Sequence, residues 1–173
     1  AVEELDRVER ALAQLLRFAR EEELALEMVE LRALILSALD SLGERLDKVK
    51  LVLDLDEDDR LRGDDEKLRR VIINLVDNAL DALDGPATAT PTVRISSGHN
   101  LAGDEMWLRV RDNGPGIPPE DIDKVFDPFY TSKRGGTGLG LAITQKLVEA
   151  HGGRIEVSRE PSPGTEMIVT LPV

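Results

Sequence analysis

The sequence predicts an α+β domain in which helices cover one face of a mixed sheet, preceded by a long amphipathic helix. Hydrophobic residues recur at helical spacing in the first residues and again near the middle of the chain. Alternating segments indicate at least five strands, and long helices separate some of them. Strands and helices in this order pack as a two-layer α/β sandwich.

The predicted amphipathic helix covers residues 1–27. Its hydrophobic residues fall three or four positions apart: Leu5, Val8, Leu12, Leu15, Leu16 and Ala19. Such a stripe requires a partner, which is either the rest of this chain or the other helices of a bundle. Heptad-like spacing favours the bundle. We therefore expect the helix to be a truncated part of a separate unit.

A globular domain is predicted over residues 28–173. The chain is expected to begin this domain with a connector at 28–30 and a helix over Leu31–Leu42 that Gly43 ends. A strand at 48–56 and a helix at 66–83 follow, and then two strands at 92–97 and 105–111. A helix at 138–150 and two strands, Arg154–Ser158 and 166–171, complete the domain. Either Asp64 or Asp65 is the expected N-cap of the helix 66–83.

Composition excludes several classes of partner. The 173 residues carry a net charge of −12, the wrong sign for nucleic acid or anionic lipid. No apolar run reaches the roughly 18 residues of a membrane span, and no signal peptide is visible. The absence of cysteine agrees with a reducing compartment. We expect a cytoplasmic segment without membrane contact, whose parent protein can be membrane-anchored.

Two asparagines lie one turn apart on the predicted helix 66–83. Asn74 and Asn78 present their amides along one edge of that helix. Neutral oxygen donors in this arrangement suit a Mg²⁺ ion that takes its other ligands from water and phosphates. Solvent-facing amides are the alternative, but asparagine is unfavourable inside a helix because its side chain competes for the backbone. We predict a metal site here.

Asp112 follows a predicted strand and precedes Asn113-Gly114, a pair typical of a two-residue hairpin. The next segment, 115–119, contains three prolines and cannot return as a paired strand. A carboxylate in this position can accept a hydrogen bond from an exocyclic amine such as that of adenine. A bond of this kind contributes about 1.5–3 kcal/mol. Asp112 is the predicted adenine contact.

A glycine-rich segment opens the predicted helix 138–150. Unpaired N–H groups in its first turn can bind phosphates, which points to Gly136, Thr137, Gly138 and Gly140. No Gly-Lys-Ser or Gly-Lys-Thr follows and no βαβ unit surrounds the segment. A Walker loop and a dinucleotide fold are therefore set aside.

An aromatic loop precedes these glycines. Phe126, Phe129 and Tyr130 lie in a segment otherwise rich in glycine, proline and charge. We interpret the loop as a mobile lid that the aromatic side chains anchor, with Lys133 and Arg134 as cations near the terminal phosphate. Aromatic residues that only fix the loop to the core are an alternative that the residues leave open.

In this order, segments 74–79, 112–117, 126–130 and 136–141 resemble the N box, first glycine box, F box and second glycine box of bacterial sensor histidine kinases. These kinases belong to the GHKL superfamily, with type II topoisomerases, a heat-shock chaperone and mismatch-repair ATPases. The resemblance covers residues 31–173 and implies a Bergerat-type fold that binds ATP and Mg²⁺. It implies metal coordination by Asn78 with help from Asn74. The implied nucleotide contacts are Asn78, Asp112, Gly114, Gly116, Ile117, Phe126, Tyr130, Gly136, Thr137, Gly138, Leu139 and Gly140.

Residues 1–27 are similar to the second helix of the dimerisation and phosphotransfer domain in the same family. The first helix, which carries the phosphoacceptor histidine, is absent from this chain. The resemblance implies a kinase that cannot phosphorylate itself alone. Its implied partners are that acceptor helix, a response regulator and a second copy in a homodimer formed through the N-terminal helix.

Two positions bear on the activity. Asp81 stands where many members carry a basic residue near the phosphates, so phosphate affinity is low unless Lys133 or Arg134 compensates. Hydrolysing relatives usually have glutamate in place of Asn74, and an amide takes no proton at pH 7, so phosphoryl transfer is favoured over hydrolysis. The alternatives are an ATPase switch or an anti-sigma-like serine kinase of the superfamily, and a nucleotide-binding docking module.

Overall fold

The computed structural model describes residues 1–20, 23–85, 89–131, 138–158 and 163–173. Its α-helices are α1 (Val2–Ala19), α2 (Leu31–Leu42), α3 (Asp65–Ala82) and α4 (Gly140–Ala150). Its strands are β1 (Glu27–Glu30), β2 (Lys50–Asp54), β3 (Arg60–Gly63), β4 (Thr92–His99), β5 (Glu105–Asp112), β6 (Arg154–Ser158) and β7 (Thr165–Pro172).

The main sheet is mixed and has five strands in the order β2-β4-β5-β7-β6. β2 runs parallel to β4, and the other neighbouring strands are antiparallel. Alternation along β4 and β5 directs Val93, Ile95 and Val110 into the core. Arg94 and Arg109 are exposed on the opposite face. One face of the sheet is therefore buried and the other is open to solvent.

The helices cover the buried face. α2, α3 and α4 each bury a stripe at helical spacing, which on α3 consists of Leu68, Val71, Ile72, Leu75, Val76, Ala79 and Leu80. These side chains join those of β4, β5 and α4 in one hydrophobic core. The predicted two-layer α/β sandwich, with helices on one face of a mixed sheet, is confirmed.

Asp64 begins α3. Its carboxylate accepts hydrogen bonds from the backbone N–H of Lys67 (3.1 Å) and of Ala25 (2.9 Å), and the Lys67 ammonium lies 3.2 Å away. Burial disfavours the charged form, but these bonds outweigh it and lower the pKa of Asp64 from its ordinary 3.8. Of the two predicted caps, Asp64 is the N-cap.

His151 joins the end of α4 to the start of α3. The Asp64 N–H donates to His151 Nε2 (3.0 Å), so Nδ1 carries the proton and donates to the Leu147 carbonyl (2.7 Å). This bond fixes the two helices that flank the candidate site.

The prediction of one helix over residues 1–27 is wrong in its extent. α1 ends at Ala19, and Arg20 is extended, with φ −77° and ψ 135°. The sequence continues with Glu21, Glu22 and Glu23. Negative charge at a helix C-terminus is unfavourable because the last carbonyls already carry partial negative charge.

The predicted connector at 28–30 is also wrong. These residues belong to β1, which pairs antiparallel with β3 and places Glu30 opposite Arg60. The side chains of Val29 in β1 and Leu61 in β3 belong to the hydrophobic core, so this small sheet packs against the rest of the domain. Each strand has only four residues, too few for an alternating pattern to be recognised from the sequence.

Other differences are shifts at element ends. A 3₁₀ turn, Gly43–Lys48, precedes the strand predicted at 48–56, which runs over Lys50–Asp54. The helix predicted from position 138 begins at Gly140. β4 extends to His99, two residues beyond the strand predicted at 92–97. Ends of this kind depend on capping and are the least determined part of a sequence pattern.

α1 packs loosely against the domain and buries none of its residues. The ammonium of Lys146, on α4, donates to the carbonyls of Phe18 and Arg20 (3.0 Å to the latter). It also lies 5.2 Å from the centre of the Phe18 ring. Lys146 thereby anchors the end of α1. No helix in the described ranges is both long enough and apolar enough to cross a bilayer.

Candidate functional site

A cleft of about 840 Å³ brings together segments that are distant in the sequence. α3, the end of β5, the loop after it and the start of α4 all line it. The predicted site residues among its lining are Asn74, Asn78, Asp112, Gly116, Ile117, Tyr130, Gly138 and Gly140. The cleft has the size of a typical small-ligand site, about 300–1,000 Å³.

Asn74 is held by a side chain on the facing helix. Its Nδ2 donates to Thr144 Oγ1 (3.2 Å), and the Thr144 hydroxyl donates to the Gly140 carbonyl (2.8 Å). Thr144 is fully buried, so this arrangement does not depend on solvent. Because Asn74 uses its amide nitrogen in this bond, its carbonyl oxygen is the atom that can serve a cation. The N-box helix and the second glycine box are thereby connected.

The acidic residues on α3 beside Asn78 are paired with an arginine. Arg45, in the 3₁₀ turn before β2, forms ion pairs with Asp77 and with Asp81, the latter at 3.0 Å. All three side chains are partly exposed, so we assign these pairs little stability. They still neutralise part of the negative charge that Asp81 brings to this edge of the cleft.

Asp112 lies at the end of β5 and is 5% exposed. Burial raises its pKa from the ordinary 3.8, while hydrogen bonds from the backbone of Gly114 (2.9 Å) and Thr165 act in the opposite direction. The backbone bonds fix the orientation of the carboxylate. A buried acceptor that lines a cleft is suited to a ligand that donates from a planar amine.

Glycines allow the backbone to approach Asp112 closely. Gly164, with φ +106°, lies so near that a Cβ there would collide with the Asp112 carbonyl. A Cβ at Gly116, which has φ +79°, would lie 3.0 Å from the Gly164 carbonyl. Gly114 does not line the cleft, and its contribution is the N–H donated to Asp112. Positive φ and close backbone contacts at Gly116 and Gly164 therefore make any side chain unfavourable at these two positions.

The three aromatic residues of the F box lie in different surroundings. Phe126 packs against the core and does not line the cleft. Phe129 is 62% exposed and has φ +70°, the one positive φ outside glycine among the described residues. Tyr130 lines the cleft, and its hydroxyl bonds to the Asp121 carboxylate. The buried hydrophobic residue of this loop that lines the cleft is Val125.

The F box and the second glycine box meet through their backbones. Phe129 N–H donates to the Gly138 carbonyl (2.9 Å), and a Cβ at Gly138 would collide with the Phe129 backbone. Leu139, the N-cap of α4, is buried in the core rather than in the cleft. Gly136, Thr137, Lys133 and Arg134 lie outside the described residues.

The sequence did not single out several residues at this site. They are Thr144, Thr165, Gly164, Asp77 and Arg45, together with Arg7, Arg10 and Gln14 of α1. Thr144 follows Gly140 by one helical turn, which is the one sequence signal that could have located it. Among the described residues, no group of three or more His, Cys, Asp or Glu side chains forms a metal site. Asn74 and Asn78 line the cleft, and their side-chain amide oxygens are donors of the kind that Mg²⁺ accepts.

A family model described as "Histidine kinase-, DNA gyrase B-, and HSP90-like ATPase" matches residues 63–173. The chain is 32% identical to the sensor histidine kinase ZraS of Escherichia coli K12, over 98% of this chain and 36% of that protein. It therefore spans about a third of the length of that curated relative.

Solved structures show the same fold. The catalytic domain of histidine kinase ThkA superposes with a TM-score of 0.74 at 30% identity, covering 85% of this chain and 97% of that chain. ThkA in complex with response regulator protein TrrA gives a TM-score of 0.80 at 29% identity, with 99% of this chain and 48% of that chain covered. The superposition with the complex includes α1.

Proposed function

Because this chain belongs to the histidine kinase-, DNA gyrase B- and HSP90-like ATPase family, we propose that it is the ATP-binding catalytic part of a two-component sensor histidine kinase. It transfers the γ-phosphoryl group to a histidine outside this chain, for relay to a response regulator. The convergence of Asn74, Asn78 and Asp112 on one cleft carries the proposal. Since ATP is an intracellular donor, this activity requires a cytoplasmic location.

Residues 1–27 contribute part of a dimerisation and phosphotransfer unit, and residues 28–173 form the catalytic domain. The exposed hydrophobic stripe of α1 supports this division: Leu5, Leu12 and Leu16 are 59%, 53% and 62% exposed. A helix with such a stripe gains stability by packing in a bundle. The bundle of a homodimer would supply both the packing partner and the acceptor histidine.

The donor set of the cleft fits ATP with Mg²⁺. Asp112 accepts from the adenine amine, and Asn78 with Asn74 would hold the ion through amide oxygens. When bound, Mg²⁺ neutralises charge on the phosphate oxygens. Tyr130 and the glycine-rich start of α4 close the phosphate side, where Gly138 and Gly140 allow close approach of backbone.

Asn74 bears on the type of reaction. Its amide nitrogen is committed to Thr144, and an amide accepts no proton from water at pH 7. This fits attack by a neutral imidazole nitrogen, which needs no base to remove a proton first: it forms the N–P bond as the bond between phosphorus and the β,γ-bridging oxygen breaks and ADP leaves. An ATPase switch would require a general base, which Asn74 does not provide.

Two binding variants test the site. A fluorescent ATP analogue is titrated with and without Mg²⁺ into wild type, Asp112→Asn and Asn78→Asp. Asp112→Asn should weaken binding by about 10-fold or more, since a bond to a charged acceptor contributes about 1.5–3 kcal/mol. Asn78→Asp should also weaken binding. Asp54→Asn, an exposed carboxylate outside the cleft, is the matched control, and unchanged affinity in both site variants would remove the proposed site.

A second experiment tests the reaction. The full-length kinase containing this segment is incubated with ATP labelled on its γ-phosphate, and the chemistry of the label is determined. Acid-labile, base-stable label is expected in wild type and is lost in Asn78→Asp. Acid-stable label would instead indicate a serine kinase. Bound ATP without transferred label would indicate a docking module.

A further inference from the structure

The charges around the cleft are distributed unevenly. The core domain contributes carboxylates to its lining, namely Asp77, Asp81 and Asp112. Among the lining residues that the structure describes, the positive side chains are Arg7 and Arg10, and both belong to α1. A triphosphate in this cleft would therefore meet its described cationic side chains only on the N-terminal helix.

Helical spacing explains why these residues reach the cleft together. Arg7, Arg10 and Gln14 follow one another at three and four positions and so occupy one face of α1. Arg10 Nε donates to the Asp6 carbonyl (3.2 Å), a bond that does not involve its terminal nitrogens. The exposed leucine stripe lies on another face, so a bundle partner and the cleft do not compete for the same side chains.

α1 is held in this position at its far end. Lys146, in α4, donates to the carbonyls of Phe18 and Arg20 and thus fixes the last turn of the helix. α4 is the helix whose first residue, Gly140, lines the cleft. α4, whose start would bind the phosphates, and α1, which carries Arg7 and Arg10, are therefore directly connected.

We propose that Arg7 and Arg10 bind the polyphosphate of the nucleotide and so link the position of α1 to occupancy of the cleft. The inference rests on the proposed function. Guanidinium groups bind phosphate oxygens with paired donors and remain charged at every working pH. Arg7 and Arg10 would also provide the positive charge near the phosphates that many family members obtain from a basic residue at the position of Asp81. Linkage is reciprocal, so bound ATP favours the docked position of α1 by the same factor by which docking favours ATP.

The test compares ATP with adenosine, which lacks phosphates. Affinities for both are measured by calorimetry in wild type, in the double variant Arg7→Gln/Arg10→Gln and in Arg17→Gln. Arg17 carries the same charge on the same helix but does not line the cleft. Because α1 contains no buried residue, none of these changes is expected to alter the fold.

The double variant should lose about 10-fold or more in ATP affinity, as expected for two exposed charge-assisted contacts, and should bind adenosine like wild type. Arg17→Gln should match wild type for both ligands. Lys146→Met, which releases the end of α1, should weaken ATP and leave adenosine unchanged.

Equal ATP affinity in the double variant and wild type would overturn the inference. So would an equal loss in Arg17→Gln, because the effect would then reflect the total charge of the helix. Loss of adenosine together with ATP in the double variant would also overturn it, since the arginines would not be acting on phosphates. If wild type binds neither ligand, the proposed function itself fails.

Discussion

Thr144→Val tests whether a buried hydroxyl positions Asn74. Thr144 is 0% exposed, donates to the Gly140 carbonyl at 2.8 Å and accepts from Asn74 Nδ2 at 3.2 Å. Valine keeps the β-branched shape and removes both hydrogen bonds. Thr144→Ser is the matched control, because it keeps the hydroxyl and removes only the methyl group.

The magnitude follows from the two bonds. Each neutral hydrogen bond contributes about 0.5–1.5 kcal/mol net, which gives about 1–3 kcal/mol for the pair. The Gly140 carbonyl keeps a helical backbone partner, and Asn74 is only partly buried, so water can satisfy its amide. We therefore expect the free energy of unfolding to fall by about 1–1.5 kcal/mol, in the lower part of that range.

Chemical denaturation followed by circular dichroism measures the stability, with unchanged m-value and lower midpoint as the expected result. ATP affinity with Mg²⁺ should fall several-fold in Thr144→Val, and affinity without Mg²⁺ should change little, because the proposed function assigns the Asn74 oxygen to the cation. If Thr144→Val equals Thr144→Ser in both stability and Mg²⁺-dependent affinity, the hydroxyl does not position Asn74.

Three further outcomes are expected. Asp112→Asn should be at least as stable as wild type at pH 7 without nucleotide, because burial raises the pKa of Asp112 and ionisation there costs stability; denaturation measures this, and a marked loss would contradict it. Wild-type ATP affinity should decline on acidification already above pH 3.8, as the acceptor protonates, whereas Asp112→Asn should lack this component of the titration. The pKa of Asp64 is lowered by folding, so its stabilising contribution is present above pH 3.8 and is lost as the pH falls through the folded-state pKa. Asp64→Ala should lower the free energy of unfolding by about 1–2 kcal/mol at pH 7. In this variant the free energy of unfolding should also depend less steeply on pH in the acid range.

The sequence was informative where its pattern is periodic or its residue types are restrictive. The long helix α3 was predicted within one residue at each end, because its apolar residues repeat over many turns and Asp64 precedes it. Gly114 and Gly116, which follow Asp112, were named through the resemblance of 112–117 to the first glycine box, whereas Gly164, which lies against the Asp112 carbonyl, was not recognised. β1 and β3 were missed because four residues carry no readable period.

The residues of the site likewise differ in whether the sequence alone could identify them. Asn74, Asn78 and Asp112 were identified from local context, since each residue type is unfavourable or unusual where it stands. Thr144 and Arg45 were not, because a buried threonine in a helix and an arginine in a turn are ordinary in sequence. Their importance comes from the partner each meets across the fold.

The sequence by itself determined the class of fold, the order of the five main-sheet strands among the helices, and the residue types able to contact a base, a metal ion and phosphates. Those properties follow from periodicity and side-chain chemistry, which are local. Only the tertiary structure decided that Asn74 is held by Thr144, that Arg45 offsets Asp77 and Asp81, and that Arg7 and Arg10 line the cleft. These relations join residues far apart in the chain, and packing alone brings them within reach.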